Sequence, residues 1–347
     1  MGIVDNFRDQ AQACARLGSP LYAQLIGRLA DDVAAGGVSR EVLTGHEHDP
    51  GPSALALRLV GSVHRLVLDD RAPELAMFYP SVGGDWNPRS GWKAFEAVLD
   101  EHGPELRRLL EQPPQTNEVG RASALMGGLL RMGETLRLPV RLFEIGASGG
   151  LNLRADKFFY TSENGHGYGR EDSPVQLVPA WRGAGLTPWD DLELVERVGA
   201  DIAPVDVTTE DGRLTLASYV WPDQVDRLQR LRSAFRVAED VTAEVRRQDA
   251  VSFVRDIELL HGTTTVLWHS VTWQYLSHTD QEQVAAAIDE LGASATGECP
   301  FAHLSLEPTR RAPGAKHEFL VVLELWPSGG RHVLGTSVGH GIPTTWE

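Results

Sequence analysis

The feature that most constrains the fold of this chain is a single change of pattern at Pro139. From about residue 5 to 137 apolar residues recur at spacings of three and four, in FRDQAQACARL, PLYAQLIGRLADDVAAG, SALALRLVGSVHRLVLDD, GWKAFEAVLDEHGPELRRLL and EVGRASALMGGLLRMGETL. That spacing predicts amphipathic helices, separated by breaks at Gly36-Gly37, the HEHDPGP loop, PSVGGDWNP and Gln112-Pro113-Pro114. No strand is predicted before residue 139. Then VRLFEI, a short continuous apolar run rich in strand formers, ends abruptly in GASGG, and LNLRADKF is predicted to open a helix.

Downstream, strand-like runs (DLELVERVGAD, VTAEVRR, TTTVLWHSV, FAHLSLEP) alternate with helical ones (PDQVDRLQRLRSAF, AVSFVRDIELL, DQEQVAAAIDELG). Alternation of this kind predicts an α/β protein with a mainly parallel sheet covered by helices. HEFLVVLELWPSGGRHVLGTSVG closes the chain as two strands around a Pro-Ser-Gly-Gly turn, an antiparallel hairpin. The expected organisation is an all-helical cap region over 1–137 and a sheet domain over 138–347. The Gly-, Pro- and aromatic-rich stretch from about 160 to 189 is expected to be an insertion or lid.

Composition narrows the function classes. A net charge of -16 repels a phosphate backbone, so nucleic acid is not an expected partner. The two cysteines, Cys14 and Cys299, are too few for a disulfide scaffold and lack zinc-site spacing; they fit a reducing cytoplasm. Neither a signal sequence nor an apolar run long enough to span a membrane is read, and Asn6 breaks the myristoylation pattern. No H-E-x-x-H or comparable pair is found among the 12 histidines, and His46-Glu47-His48-Asp49 reads as a solvated loop, so no metal is expected. Nothing in the pattern sets an oligomeric state.

The chemistry-bearing signal is Glu144-Ile145-Gly146-Ala147-Ser148-Gly149-Gly150, between a strand and a helix. Glycines there bring backbone N–H groups close to a ligand. This stretch resembles the first motif of the class I S-adenosylmethionine-dependent methyltransferases, with Glu144, Gly146 and Gly150 at matching positions and Ser148 in place of the middle glycine. The resemblance implies a Rossmann-like methyltransferase sheet of about seven strands, S-adenosylmethionine as cofactor and a small-molecule substrate. It implies Glu144, Gly146, Ser148, Gly149 and Gly150 around the methionine part, Asp201 in VGADIAP at the ribose hydroxyls, and Asp249 in QDA beside the adenine. The runs PPQTNEVGRASAL, FEIGASGGLNL and VLWHSVTWQYL are together similar to a bacterial domain-of-unknown-function family with a methyltransferase-like fold. The distance from Gly146 to Asp201 exceeds the roughly 20 residues of a compact βαβ unit, and the insertion accounts for the excess.

The residues leave other readings open. Gly146 to Gly150 also spell G-x-S-x-G, the nucleophile elbow of serine hydrolases, with Ser148 as nucleophile, Asp201 or Asp249 as acid and His269 or His332 as base. A nicotinamide site, a ligand-binding protein without turnover and a tight turn without a ligand are the remaining alternatives. Outside the turn, His269 in WHSVTW is a candidate general base at a strand end, Tyr275 is a further catalytic candidate, and Trp273 with Tyr275 is expected to floor the substrate pocket. Upstream, Thr116 and Asn117 are candidates for holding substrate or for capping the following helix, Glu118 is a candidate catalytic residue that orients an amine, and Arg121 is a candidate for clamping the methionine carboxylate or a substrate acid.

Overall fold

A computed structural model describes residues 2–49 and 53–347; the expected Pro50-Gly51-Pro52 turn lies outside them. The chain divides into two compact units, Met1–Thr116 with Thr209–Gln229, and Asn117–Thr208 with Arg230–Glu347. The division falls at 116/117 rather than at 137/138 because the helix after Arg121 packs on the sheet.

The first unit is helical: α1 (Ile3–Arg16), α2 (Pro20–Ala35), α3 (Val38–Val42), α4 (Leu55–Leu68), α5 (Pro73–Ala76) and α6 (Pro88–Leu109). Its boundaries follow local chemistry. The Ser19 hydroxyl accepts the Tyr22 N–H ahead of Pro20 at the first position of α2, and Gly36 ends that helix at φ 77°. Asn87 and Pro88 open α6 in the same way. Phe7, Tyr22, Leu25, Leu59, Val63, Phe95 and Leu99 are among the buried residues of one shared core.

In the second unit α7 (Ala122–Met132) precedes β1 (Val140–Ile145), every residue of which is buried. The remaining strands are β2 (Phe159–Ser162), β3 (Gly167–Gly169), β4 (Gln176–Gly183), β5 (Leu194–Asp201), β6 (Glu244–Arg247), β7 (Thr264–Ser270), β8 (Phe301–Arg310), β9 (His317–Trp326), β10 (Arg331–Ser337) and β11 (Thr344–Trp346). Of the remaining helices, α8 (Glu210–Ser218) belongs to the first unit, α9 (Val225–Asp240) begins there and continues into the second, and α10 (Ala250–Arg255) and α11 (His278–Ser294) lie in the second. All the strands form one mixed sheet, β3-β2-β4-β11-β10-β9-β8-β7-β1-β5-β6. The sheet has 11 strands, not about seven. The excess comes from the 160–189 stretch, which builds β2, β3 and β4 at one edge of the sheet instead of a loop or lid, and from β11, which pairs parallel with β4. No helix among the described residues is long and apolar enough to cross a membrane.

Strands β6, β5, β1, β7 and β8 run parallel, and β8, β9 and β10 continue as an antiparallel meander. The chain lays β5 and β6 on one side of β1, then returns to lay β7 and β8 on the other. The β1/β7 boundary is thus a topological switch point, where open α/β sheets bind ligands outside the carboxyl ends of the strands. Side chains alternate across the sheet. Phe143, Ile145 and Leu267 share a core with Val251, Phe253, Val284 and Ile288 of α10 and α11. Leu142 and Glu144 therefore face the other layer, as does Trp268, the register partner of Glu144. On α7 a Cβ at Gly127 or Gly128 would overlap Trp346 or Leu304, so these glycines set the close approach of the helix to the sheet.

Candidate functional site at the switch point

The turn after β1 is held by its own chain. The Ala147 N–H donates to the Ala200 carbonyl (3.1 Å) and Gly150 N–H to the Ala147 carbonyl (2.7 Å). The Ser148 N–H donates to Asp201 Oδ2 and Leu151 N–H to Asn117 Oδ1, each at 2.9 Å. Four of the donors that could cradle a ligand, at Ala147, Ser148, Gly150 and Leu151, are thus satisfied within the chain, and Ala147 to Gly150, Gly149 included, are buried. Gly146 and Gly150 take the left-handed conformation expected of glycine, and so does Ser148 at φ 53°, an unfavourable conformation for that residue. LNLRADKF is a tight 3-10 segment, not the predicted α-helix; Arg154 within it donates to the Gly150 and Val241 carbonyls.

Asp201, at the end of β5, is half-buried and accepts one N–H on each oxygen, from Ser148 and from Ala203 (2.9 Å). A carboxylate oxygen has room for a second donor, so Asp201 retains capacity for hydroxyl groups. Glu144 is buried, and its Oε2 has no hydrogen-bond partner among the described residues. Burial pushes its carboxyl up to about 8, opposed by the nearby Trp268 indole and by Arg121. A carboxyl raised in the fold destabilises it progressively as pH rises from its unfolded value of 4.5 through about 8. Glu144→Gln is therefore expected to gain stability relative to the native protein between pH 5 and 8. Urea unfolding at the two pH values checks this; a constant difference contradicts it.

Arg121 lies near enough to favour ionised Glu144, and its guanidinium donates to the carbonyls of Ser270 (3.2 Å) and Gly339 (3.1 Å). Part of the expected clamp is therefore spent on backbone. Glu118 is buried, accepts the Gly120 N–H and lies 3.7 Å from the Arg230 guanidinium. Asn117 and Glu118 thus brace the turn: the Glu118 carbonyl accepts from Asn152 (3.3 Å). Thr116, in the helical unit, is exposed. Asp249 is exposed and caps α10 by accepting the Ser252 N–H at 2.8 Å, which holds its carboxyl below the usual range.

His269 is buried one residue beyond Trp268, so it faces away from Glu144. Both its nitrogens are engaged, Nδ1 by Glu307 (2.8 Å) and Nε2 by His303 (2.9 Å), and Trp273 stacks on the ring. Tyr275 is 55% exposed. The fold therefore brings Glu144, Ser148, Asp201, Asn117 and Arg121 around one turn, with His269 on the opposite face of the sheet. Sequence reasoning missed Trp268, Thr272, His303, Glu307 and Glu324. The spacing of His303, Ser305 and Glu307, three polar residues on one face of an apolar strand, is the signal that marks two of them. No group of three or more His, Cys, Asp or Glu residues among those described is placed to hold a metal ion.

These features define an open α/β protein with an acid-rich site at the switch point of its sheet. The family described as "Uncharacterized protein conserved in bacteria (DUF2332)" matches residues 4–346, and the chain belongs to it. No curated protein and no solved structure matches the chain.

Proposed function

We propose that the protein is an S-adenosylmethionine-dependent methyltransferase acting on a small molecule. The observation that carries this reading is the pair of acids at the carboxyl ends of adjacent strands β1 and β5, beside the switch point, one with a buried oxygen that lacks a donor. A turn in which four N–H groups are already satisfied and which is flanked by two acids suits a cationic ligand with hydroxyl groups better than a pyrophosphate. Glu144 would take the ammonium of the methionine part and Asp201 the ribose hydroxyls. Bound there, the cofactor supplies an electrophilic methyl group. The chain's own part is to hold and align, which accounts for much of the barrier lowering in reactions of this type.

A hydrolase elbow is favoured by the left-handed Ser148, but both candidate bases are badly placed for it. Both nitrogens of His269 are engaged, and His332 is exposed on β10.

The test is calorimetric titration with S-adenosylmethionine and S-adenosylhomocysteine, on native protein and on Asp201→Asn, with thermal unfolding as control. Micromolar binding, about 8 kcal/mol, weakened at least about tenfold in the folded variant, is expected. Absence of binding, together with fluorophosphonate labelling of Ser148, would assign the hydrolase instead.

A further inference from the structure

Residues of β7, β8 and β9 that methyl transfer leaves unused form a polar chain across three strands. Glu307 Oε1 lies within 2.8 Å of His269 Nδ1, 2.9 Å of Thr272 N and 3.2 Å of Trp273 N. An oxygen approached by two backbone N–H donors is an acceptor, so His269 carries a proton on Nδ1. Its Nε2 meets His303 Nε2 at 2.9 Å, and His303 Nδ1 lies 2.9 Å from Glu324 Oε2 on β9. Two neutral rings, each donating through Nδ1 to a carboxylate, would point two lone pairs at one another across that gap. Moving the proton of His303 to Nε2 transfers the conflict to Glu324, which must then be the protonated acid. In either arrangement the four groups hold one proton more than two neutral rings and two carboxylates.

The same carboxylate holds a strained turn. Val271, β-branched, sits at φ 52°, and its N–H donates to the Leu306 carbonyl (2.9 Å). Glu307 binds the next two N–H groups, Trp273 stacks on His269 at 5.3 Å, and Thr272 lies against Gly146, where an added Cβ would be 2.4 Å from its Oγ1. Charged groups facing the histidine pair are Glu307 on β8, Glu324 on β9 and, opposite Glu324, Arg331 on β10. Burial, the largest influence, and the neighbouring His269 hold His303 below the usual imidazole range, while Glu324 and Glu307 act in the opposite direction.

We propose that His269 and His303 share one proton between their Nε2 atoms, and that this proton holds the Val271–Trp273 turn against Gly146, making the chain a proton-linked catch on the switch-point site. On deprotonation one N–H bond breaks and the proton passes to solvent base past Glu324, the more exposed end. The two lone pairs then repel, His269 shifts, and the turn loses its stacking partner and part of its hold on Glu307. The inference stands whatever ligand the site takes.

Histidine ¹⁵N NMR from pH 5 to 9, with amide exchange protection at Thr272 and Trp273, tests it. Three protons on the four ring nitrogens are expected at the acid end. One is lost in a single step common to both rings, with a fall in protection of about tenfold or more at the same pH. His303→Gln offers His269 Nε2 an amide N–H without an extra proton, so its protection is expected not to change with pH. Should that variant not fold, Glu324→Gln is expected to move the step to lower pH. Two ring protons throughout, separate titration of the rings, or protection unchanged across the step would overturn the proposal.

Discussion

Replacing Arg197 by alanine is expected to destabilise the protein by about 3 kcal/mol, at the lower end of the range for breaking a buried ion pair. Arg197 on β5 grips Asp156 with both ends of its guanidinium, Nη1 to Oδ1 at 2.6 Å and Nη2 to Oδ2 at 2.7 Å. Nη1 also donates to the Leu153 carbonyl. The two side chains are 10% and 9% exposed, so removal of the arginine leaves a desolvated carboxylate. Lys157, 2.8 Å away and 37% exposed, remains as a weaker partner, which places the cost at the low end. Urea unfolding measures it, and Arg197→Ala with Asp156→Ala should recover part of the loss because no charge is then stranded. A loss under about 1 kcal/mol would mean that the pair behaves as an exposed one.

Gly146→Ala is expected to cost about 2–5 kcal/mol, from two separable sources. Its φ of +68° lies in the left-handed region, unfavourable by about 1–2 kcal/mol for a residue with a Cβ. The added carbon would also sit 2.4 Å from Thr272 Oγ1 and 2.6 Å from its Cγ2. Overpacking of this kind costs about 1–3 kcal/mol. Thr272→Gly in the same chain removes the overlap but leaves the backbone term, so the pair should be more stable than the sum of the single changes predicts. Additivity within about 0.5 kcal/mol would show that Thr272 does not cover Gly146.

The parallel heart of the sheet was legible because its strands are short, continuous apolar runs; VRLFEI is buried at every position. The final hairpin was legible from its turn residues. The strands of the 160–189 stretch were not: β3 is only Gly167–Gly169, and β4 pairs with β11, more than 100 residues on, so neither carries a local pattern. Arg154 illustrates a second limit, since it binds the Gly150 and Val241 carbonyls with non-helical backbone in a run whose spacing suits a helix. At the site, Glu144 and Asp201 were readable as acids ending strands. The spending of the turn's N–H groups on Asp201 and Asn117 was not, because it depends on side chains distant in sequence. Asp249 carried a cap signature, with Ser252 three residues on. Glu324 joins His303 only through the β8/β9 register, which the sequence leaves open.

The central claim is that the carboxyl ends of β1 and β5 form a cofactor site, and a crystal structure with S-adenosylhomocysteine at saturating concentration tests it most directly. The predicted result is the ligand at the β1/β7 switch point, its amino group at Glu144 Oε2 and its ribose hydroxyls at Asp201. A ligand bound elsewhere, or a saturated crystal with Glu144 and Asp201 untouched, would contradict it.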